Sequence, residues 1–458
     1  MGIRKFAVPL ISALAVAFSH PLGAEEKAEI KDIQTFDTLA SEFSKAYTQL
    51  ELPDLELSFI TNLENLGSAD VLSHQQSVFT GLQSQLTRID QQALDVCRKI
   101  DYSIMSDEIE LGLRRADLGL RFVEQKVDLS AVKSINELAM GEAWYGYFLD
   151  RWNSARLEPD ALYQFGEAQL KRSVARYDAI QAQLGFSGDD EGFAKHLANY
   201  SQTLHDGEAI LALFRQKQAR VWARMHQLFP QSYGVFPARI KLSELGEDFP
   251  VEGYYEPTEE TFYFNLLKKG YEERQTDWLF LHEGSPGHHF QIRAERVGKR
   301  CKTQLPSMYS PAYSEGWAAY TENLGEALGL YTTPEAKLAG IEWDMVRSVR
   351  VVLDVALNQY GWSDQQALDY WHAHVRGQKH LAQREIDRMR RWPAQVITYK
   401  YGANVFETVK AQYLKTAENQ EAAVKAFHDA AIAYGAMPLR TFEELFSDLV
   451  KKRIPADS

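Results

Sequence analysis

The chain has 458 residues, of which 45% are apolar and 25% are charged, and this composition is typical of a globular protein with a large core. Its formal net charge of −13 at pH 7 argues against nucleic acid as a partner, because nucleic-acid-binding surfaces are basic. The only cysteines are Cys97 and Cys301, and the sequence leaves open whether they pair or remain thiols.

The first 24 residues have the pattern of a secretory signal peptide. Two basic residues precede an apolar run over residues 6–18, and small residues lead to a predicted cleavage after Ala24. The run is shorter than the roughly 20 residues that a membrane-spanning helix needs, and no cysteine near the cleavage site would carry a lipid. Cleavage removes two positive charges and no acid, so the net charge becomes more negative. We therefore expect a periplasmic or secreted protein without stable membrane insertion.

Most of the mature chain has the apolar periodicity of α-helices. Residues 107–125 and 161–186 are examples, with apolar side chains at helical spacing. We find no internal repeat, low-complexity run or Pro- or Ser-rich linker. The sequence predicts a mainly α protein with a single domain over residues 25–458, and a division of that domain into two lobes, at about 25–230 and 231–458, stays open.

A short β-hairpin is predicted between Phe236 and Asn265, where β-branched and aromatic residues are mixed with turn signals. Tyr254, Tyr255, Tyr263 and Asn265 come just before the motif described next, and they could bind the backbone of a peptide substrate along its edge. A packed aromatic hairpin is an equally good interpretation of these residues.

Residues 280–291, FLHEGSPGHHFQ, contain a metal-binding pattern with an altered spacing. In H-E-x-x-H helices two histidines four residues apart share a metal ion, whereas here Pro286 stands four residues after His282 and the next histidine is His288. On an ideal helix, six residues rotate the side chain by roughly 120° and raise it by about 9 Å, so an unbroken helix cannot bring the two histidines together. Pro286 and Gly287 favour a break that returns His288 to His282.

His289 is the rival second ligand, since seven residues are nearly two full turns, although two turns separate the side chains by about 10.5 Å. A plain helix–turn with two surface histidines would also have this sequence. In thermolysin-like sites a glutamate from a later helix completes a His₂Glu set. We predict Glu315 for that role, in the first turn of a helix capped near Ser314, with Glu322 as the acceptor that orients a ligand imidazole. An acid favoured by the helix dipole is the alternative interpretation of Glu315.

Three blocks, HEGSPGHHFQ, SEGWAAYTE and RRWPAQVITYKYG, resemble in this order the signature blocks of the bacterial domain of unknown function 885 family. Weaker similarity extends from about residue 141 to about residue 406. That family is grouped with the gluzincin-type zinc metallopeptidases, which are large helical enzymes with a deep active-site cleft. The resemblance implies one zinc ion bound by His282, His288 and Glu315, with Glu283 as the general base and Tyr399 as a donor to the oxyanion.

The resemblance also implies that Arg388 and Gln395 lie along the same wall as Tyr399. One position departs from the family pattern. Where relatives often have Asp-x-Gly-x-His before Gly-Trp, this chain has Ala356 and Asn358 in place of the glycine and histidine. Asparagine can form hydrogen bonds but does not titrate, so an acid–base role is not expected at this position.

The predicted function is therefore an exported zinc metallopeptidase that hydrolyses peptide bonds with zinc-activated water and Glu283 as base. A zinc-dependent amidase or esterase with a non-peptide substrate is one alternative, because the same chemistry serves other acyl groups. A non-catalytic binding protein on a peptidase fold is another. The intact Glu283 argues against it, since a structural zinc site has no use for this residue. The sequence does not distinguish an endopeptidase from an exopeptidase.

Overall fold

The computed structural model describes residues 24–230, 233–246, 251–298, 301–306 and 310–451, so the predicted signal peptide up to residue 23 lies outside the described residues. The protein is mainly helical, as the sequence predicts, and helix accounts for 68% of it. The helices are α1 (Ala24–Gln49), α2 (Phe59–Glu64), α3 (Ala69–Leu86), α4 (Val96–Gln125), α5 (Gly141–Asn153), α6 (Pro159–Gln183), α7 (Asp190–Tyr200), α8 (Gly207–Arg224), α9 (Thr276–Glu283), α10 (His288–Gly298), α11 (Pro311–Glu322), α12 (Pro334–Asn358), α13 (Asp364–His374), α14 (Ala382–Arg391), α15 (Ile397–Lys415), α16 (Gln420–Ala433) and α17 (Leu439–Lys451).

Five short strands lie before α9 in the described part of the chain. They are β1 (Thr203–Leu204), β2 (Arg239–Leu242), β3 (Gly253–Glu256), β4 (Thr261–Phe264) and β5 (Tyr271–Glu272). The antiparallel pair β3–β4 is the predicted hairpin, and β2 pairs with β4 in parallel, which gives the order β2-β4-β3. β3 is therefore an edge strand of this sheet. β1 and β5 form a separate antiparallel pair.

The long helix α12 lies at the centre of the fold, and its second half is buried on every side. Thr333 caps its first turn by accepting a hydrogen bond from the backbone N–H of Ala336. α6 packs closely along α12 at Gly166, where a Cβ atom would lie 2.8 Å from Cγ2 of Val352. The small residue permits this close approach of the two helices.

α11 begins at Pro311, with Ser310 before it, and this is earlier than the start near Ser314 that the sequence predicts. Proline is favourable at the first helical position, because its missing N–H would have no partner within the helix there. Glu315 consequently lies in the second turn of α11, and the prediction of the first turn was wrong.

α11 and α15 pack against each other through glycines. A Cβ atom on Gly316 would lie 2.5 Å from Cα of Gly402, so the two backbones are in direct contact. This contact brings the helix that carries Glu315 beside the helix that carries Tyr399.

Cys97 and Cys301 form a disulfide, which answers the question that the sequence left open. It joins α4 to the segment after α10, across 204 residues of sequence. The largest hydrophobic cluster contains residues from Ile100 to Phe446 and surrounds α9, α11 and α12. Among the helices of the described ranges, none combines the length and the apolar character that crossing a bilayer requires.

Candidate metal centre

The H-E motif lies at a break between two helices. α9 ends at Glu283 and α10 begins at His288, and the Ser285–Pro286 peptide bond between them is cis. At Gly287 a Cβ atom would lie 1.9 Å from the carbonyl oxygen of His282, so only glycine allows the chain to fold back this closely. The rings of His282 and His288 have centroids 4.8 Å apart and are nearly perpendicular, at 88°. The break predicted from the sequence therefore brings the two histidines together.

His282, His288 and Glu315 form one group, in which the possible ligand atoms all lie within 4.8 Å of one another. Oε2 of Glu315 is 3.4 Å from Nε2 of each histidine. This oxygen is buried, and its two contacts with the imidazole nitrogens are long for hydrogen bonds. Two imidazole nitrogens and one carboxylate oxygen around a single point are the donor set of a catalytic zinc site, which keeps a further position for water or substrate. The three side chains thus fit a zinc ion.

Glu322 orients the ring of His282 from behind. Nδ1 of His282 is 2.8 Å from Oε1 of Glu322, and the other carboxylate oxygen of Glu322 accepts a hydrogen bond from Arg347. Nδ1 therefore carries the proton, and Nε2 is left to face Glu315 and His288. A carboxylate behind a histidine is the usual means of fixing the tautomer of a metal ligand.

The electrostatics of the group suit a cation. Burial lowers the pKa of His282, but its hydrogen bonds with Glu315 and Glu322 outweigh this effect and raise that pKa to about 9. Burial raises the pKa of Glu315, and the two histidines outweigh this effect in turn and hold that pKa well below its usual range. Glu315 is consequently an anion in the folded protein. A metal ion at this point would replace the positive charge that a protonated His282 supplies.

Glu283 stands beside this group and is not one of its members. Desolvation raises the pKa of its carboxyl, while the positive charges of His282 and His288 oppose that shift. The backbone N–H of Tyr255 donates a hydrogen bond to the carboxylate. A desolvated carboxylate next to a candidate metal site is a candidate for proton transfer.

Tyr399, Arg388 and Gln395 lie together next to His282. The hydroxyl oxygen of Tyr399 accepts hydrogen bonds from Nη2 of Arg388 and Nε2 of Gln395, each at 3.4 Å, so its own proton is free to point elsewhere. The ring centroid of Tyr399 is 6.1 Å from that of His282, and both residues line a cavity of about 210 Å³ with Glu283. Burial raises the pKa of Tyr399, so the phenol is neutral and can donate a hydrogen bond at pH 7.

His289 does not face the other two histidines. Its Nδ1 is 3.1 Å from the hydroxyl of Tyr255 and its Nε2 is 2.7 Å from the carbonyl oxygen of Phe236. Both ring nitrogens are therefore engaged on the far side of α10. The helix break turns His288 towards His282, and this rotation carries the next residue away, so His289 is not placed for the ligand role that the sequence left open.

Tyr254 and Asn265 also lie apart from the three ligand candidates. Tyr254 stacks on Tyr263, with ring centroids 5.3 Å apart, on the face of the sheet opposite Tyr255. Asn265 is buried directly after β4, and its backbone N–H donates to the carbonyl oxygen of Glu252 at 2.9 Å. Packing describes these side chains better than substrate binding does. Tyr255 reaches the site through its backbone N–H alone.

Asn358 is buried and joins two helices, since its Nδ2 donates to the carbonyl oxygen of Met389 at 3.2 Å. One turn earlier in α12, Asp354 accepts hydrogen bonds from the hydroxyl of Tyr145 and from the backbone N–H of Ala394. Ala394 has a φ of 69°, which is unusual for a residue with a Cβ atom, and it directly precedes Gln395. Asp354 therefore holds the turn that leads into the helix of Tyr399.

Sequence reasoning did not single out the charged residues of α12. Arg347, Arg350 and Asp354 are buried in a stretch that is otherwise almost entirely apolar. Their helical spacing places them along one side of α12, and Arg347 and Arg350 line the cavity beside His282. They could have been identified from the sequence as charged residues at helical spacing within an apolar helix. Burying a charge is costly unless it has a partner or a function.

The profile of a family described as a bacterial protein of unknown function (DUF885) matches residues 131–445, which is more than half of the chain. No curated protein matches the sequence. Among solved structures, a "putative lipoprotein" from Colwellia psychrerythraea is similar with a TM-score of 0.61 and 19% identity, over 94% of this chain and 77% of that chain. A "putative lipoprotein of unknown function" from Shewanella oneidensis gives a TM-score of 0.48 and 16% identity, over 94% and 80%. The first similarity indicates a shared fold and carries no information on activity.

Proposed function

We propose that this chain, which belongs to the DUF885 family of bacterial proteins of unknown function, is a zinc metallopeptidase of the gluzincin type that binds its substrate in a cleft. The observation that carries the proposal is the approach of His282, His288 and Glu315 to one point, with Glu283 beside them. Structural zinc sites have four protein ligands and need no base, whereas this group offers three ligands and an adjacent carboxylate.

Each residue of the site then has a part in peptide hydrolysis. A zinc ion held by His282, His288 and Glu315 would supply a Lewis acid for the scissile carbonyl and would lower the pKa of the attacking water molecule to about 7. Glu283 takes the proton of that water and passes it to the leaving nitrogen, and its desolvation favours this exchange. The hydroxyl of Tyr399, whose proton is not used by Arg388 or Gln395, donates a hydrogen bond to the carbonyl oxygen as negative charge develops there.

The edge of the small sheet supports a peptide as the substrate. β3 has no partner on its outer side in the described part of the chain, and Gly253 at its start lines the same cavity as Glu283. An extended peptide can add to such an edge through backbone hydrogen bonds. The hydrogen bond from the backbone N–H of Tyr255 to Glu283 links this strand to the proposed base.

An exported location is part of the same proposal. The leader pattern supports it, and so does the disulfide between Cys97 and Cys301, since disulfides persist in oxidising compartments. The description of the Colwellia psychrerythraea protein as a "putative lipoprotein" is compatible with this location.

Metal analysis of the purified mature protein, followed by digestion of a peptide library and mass spectrometry, tests the function. We expect about one zinc ion per chain and cleavage that a chelator abolishes and added zinc restores. Cleavage of esters or non-peptide amides alone would favour the alternative enzyme class. A protein that binds no zinc when loaded with it would contradict the proposal.

A further inference from the structure

The cavity beside the candidate metal centre has a wall rich in positive charge. Five arginines line it: Arg347, Arg350, Arg384, Arg388 and Arg391. Arg347 pairs with Glu322, while Arg350 and Arg384 share the carboxylate of Glu385 at 2.8 and 3.0 Å. These pairs neutralise only part of the wall. The positive charge that remains faces the same space as His282 and Glu283.

Arg388 differs from the three paired arginines. No carboxylate of the described residues lies within 4 Å of its guanidinium, whose Nη2 donates at 2.8 Å to the neutral amide oxygen of Gln395. Its Nε is buried without a hydrogen-bond partner in the described ranges. A guanidinium has five N–H donors, and a largely desolvated cation is costly unless an anion satisfies it.

Arg350 and Arg388 lie against the same aromatic ring. Each guanidinium carbon is 5.9 Å from the ring centroid of Tyr399, and Arg388 also packs over Trp392 at 5.3 Å. Burial lowers the pKa of Arg350, and the nearby charge of Arg388 lowers it further. Both guanidinium groups contact one ring, and planar guanidinium groups bind carboxylates through paired hydrogen bonds, so the two arginines can serve one anion.

Tyr399 connects this anion site to the proposed chemistry. Its ring is 6.1 Å from that of His282, and its hydroxyl is 3.4 Å from Nη2 of Arg388. Consecutive Cα atoms are about 3.8 Å apart, so a carboxylate at Arg388 lies about one or two residues from a carbonyl at the metal centre. The cavity, of about 210 Å³, has room for a short end of a peptide chain.

We propose that Arg388, supported by Arg350, binds the free C-terminal carboxylate of the substrate, so that the protein acts as an exopeptidase that releases one or two residues. This inference rests on the proposed function and names its substrate class. In the reaction, the water oxygen bonds to the carbonyl carbon and the C–N bond breaks. The released amine receives its proton from Glu283, and the new carboxyl group stays on the longer fragment.

A binding experiment tests the carboxylate site without any catalysis. Calorimetry on the metal-free protein compares an N-acetylated dipeptide of neutral side chains with the same dipeptide as its C-terminal amide. We expect the acid to bind about tenfold or more tightly, since hydrogen bonds to a charged group are involved. In Arg388→Gln the acid should bind as weakly as the amide, and Arg388→Lys should recover part of the difference. Equal binding of acid and amide to the wild type would overturn the inference.

Two controls separate the proposed site from other sources of the same signal. Arg391 is an exposed arginine of the same helix and the same cavity, and Arg391→Gln should leave the acid-to-amide ratio unchanged. An equal loss in both arginine variants would indicate a general positive field and contradict a site at Arg388. A dipeptide amide with a glutamate side chain should bind as weakly as the neutral amide. Tight binding of this compound would assign the site to acidic side chains instead.

A cleavage experiment then distinguishes the two proposals. Zinc-loaded wild-type protein is given two peptides that differ only in a free or amidated C-terminus, and products are identified by mass spectrometry. We expect kcat/KM to be about tenfold or more lower for the amide, with fragments of one or two residues released from the acid. Equal cleavage of both peptides would overturn the exopeptidase inference and leave the peptidase proposal standing. Selective binding of the acid without cleavage of either peptide would contradict the peptidase proposal, and with it the exopeptidase activity, and would leave only the carboxylate site at Arg388 standing.

Discussion

At the residue scale, two neighbouring carboxylates differ in their surroundings. Burial raises the pKa of both, but for Glu315 the hydrogen bonds of His282 and His288 outweigh this effect and keep it an anion. Glu283 lacks such hydrogen bonds from the histidines, and its pKa is raised overall. The same side-chain type therefore suits a metal ligand at one position and a proton carrier at the other.

Substitutions of the proposed base and of a proposed metal ligand should distinguish metal binding from catalysis. We expect Glu283→Gln to retain about one zinc ion per chain and to lose hydrolysis by a factor of about 10²–10⁴, because the amide keeps the shape and removes the basicity. His288→Ala should lose both zinc and activity. His289→Gln is the matched control and should retain zinc, since His289 contacts Phe236 and Tyr255 instead. Metal analysis and peptide assays on the three variants measure this. Zinc loss in Glu283→Gln would contradict the assignment.

The hydroxyl of Tyr399 gives a second prediction at this scale. Tyr399→Phe keeps the ring against Arg388 and His282 and deletes only the donor. We expect kcat to fall by about 10²–10³ with little change in KM, because the hydrogen bond strengthens as charge develops on the oxygen. Tyr401→Phe is the control, since Tyr401 packs on Phe165 away from the cavity. Steady-state kinetics on one peptide measures both. A Tyr399→Phe enzyme with the wild-type kcat would place the oxyanion donor elsewhere.

At the scale of elements, the break between α9 and α10 depends on one glycine. A Cβ atom at position 287 would lie 1.9 Å from the carbonyl oxygen of His282 and 2.3 Å from that of Leu281. Gly287→Ala should therefore displace His288 from His282. We expect zinc affinity to fall by about tenfold or more, which corresponds to about 1.4 kcal/mol, and the melting temperature to fall as well.

The control for this change is Gly81→Ala, in the exposed interior of α3, where no atom lies within 4 Å of an added Cβ. Alanine there should be neutral or stabilise the helix by up to about 1 kcal/mol. Competition with a zinc chelator and thermal melts measure both variants. Unchanged zinc affinity in Gly287→Ala would show that the tight turn is not needed for the metal group.

These elements also show how far the sequence could predict the structure. The helical class, the β3–β4 hairpin and the break at Pro286 and Gly287 were predictable, because local periodicity and backbone preferences determine them. The predicted start of α11 was wrong, because Ser314, inside the helix, is as suitable an N-cap residue by type as Ser310. The parallel pairing of β2 with β4 and the packing of Arg350 and Arg388 against Tyr399 depend on tertiary packing, which no local pattern encodes.

At the scale of the whole molecule, the core buries a neutral histidine where three parts of the chain meet. Nδ1 of His428 donates to the carbonyl oxygen of Leu228 at 2.8 Å, and Nε2 accepts from the hydroxyl of Tyr320 at 2.7 Å. Its ring stacks on Phe229, with centroids 4.5 Å apart. Burial lowers the pKa of His428 to about 3, and the charge of Lys410 opposes protonation further. The folded protein therefore keeps this imidazole neutral across the mildly acidic range.

This burial should make the fold sensitive to acid. An unfolded chain protonates His428 near pH 6.5, so below that pH the unfolded state binds one proton more than the folded state. The contribution of His428 to the free energy of unfolding is fully present above about pH 6.5. It falls by roughly 1.4 kcal/mol for each pH unit as the pH decreases towards 3. His428→Gln can still donate to Leu228 and accept from Tyr320, but it does not titrate. We expect urea unfolding of the metal-free proteins between pH 6 and 4 to give a free energy of unfolding that depends less steeply on pH in the variant than in the wild type. The difference in slope should correspond to about one proton. His372→Gln, at an exposed histidine of α13, should leave the wild-type slope unchanged, and an unchanged slope in His428→Gln would show that His428 does not control acid stability.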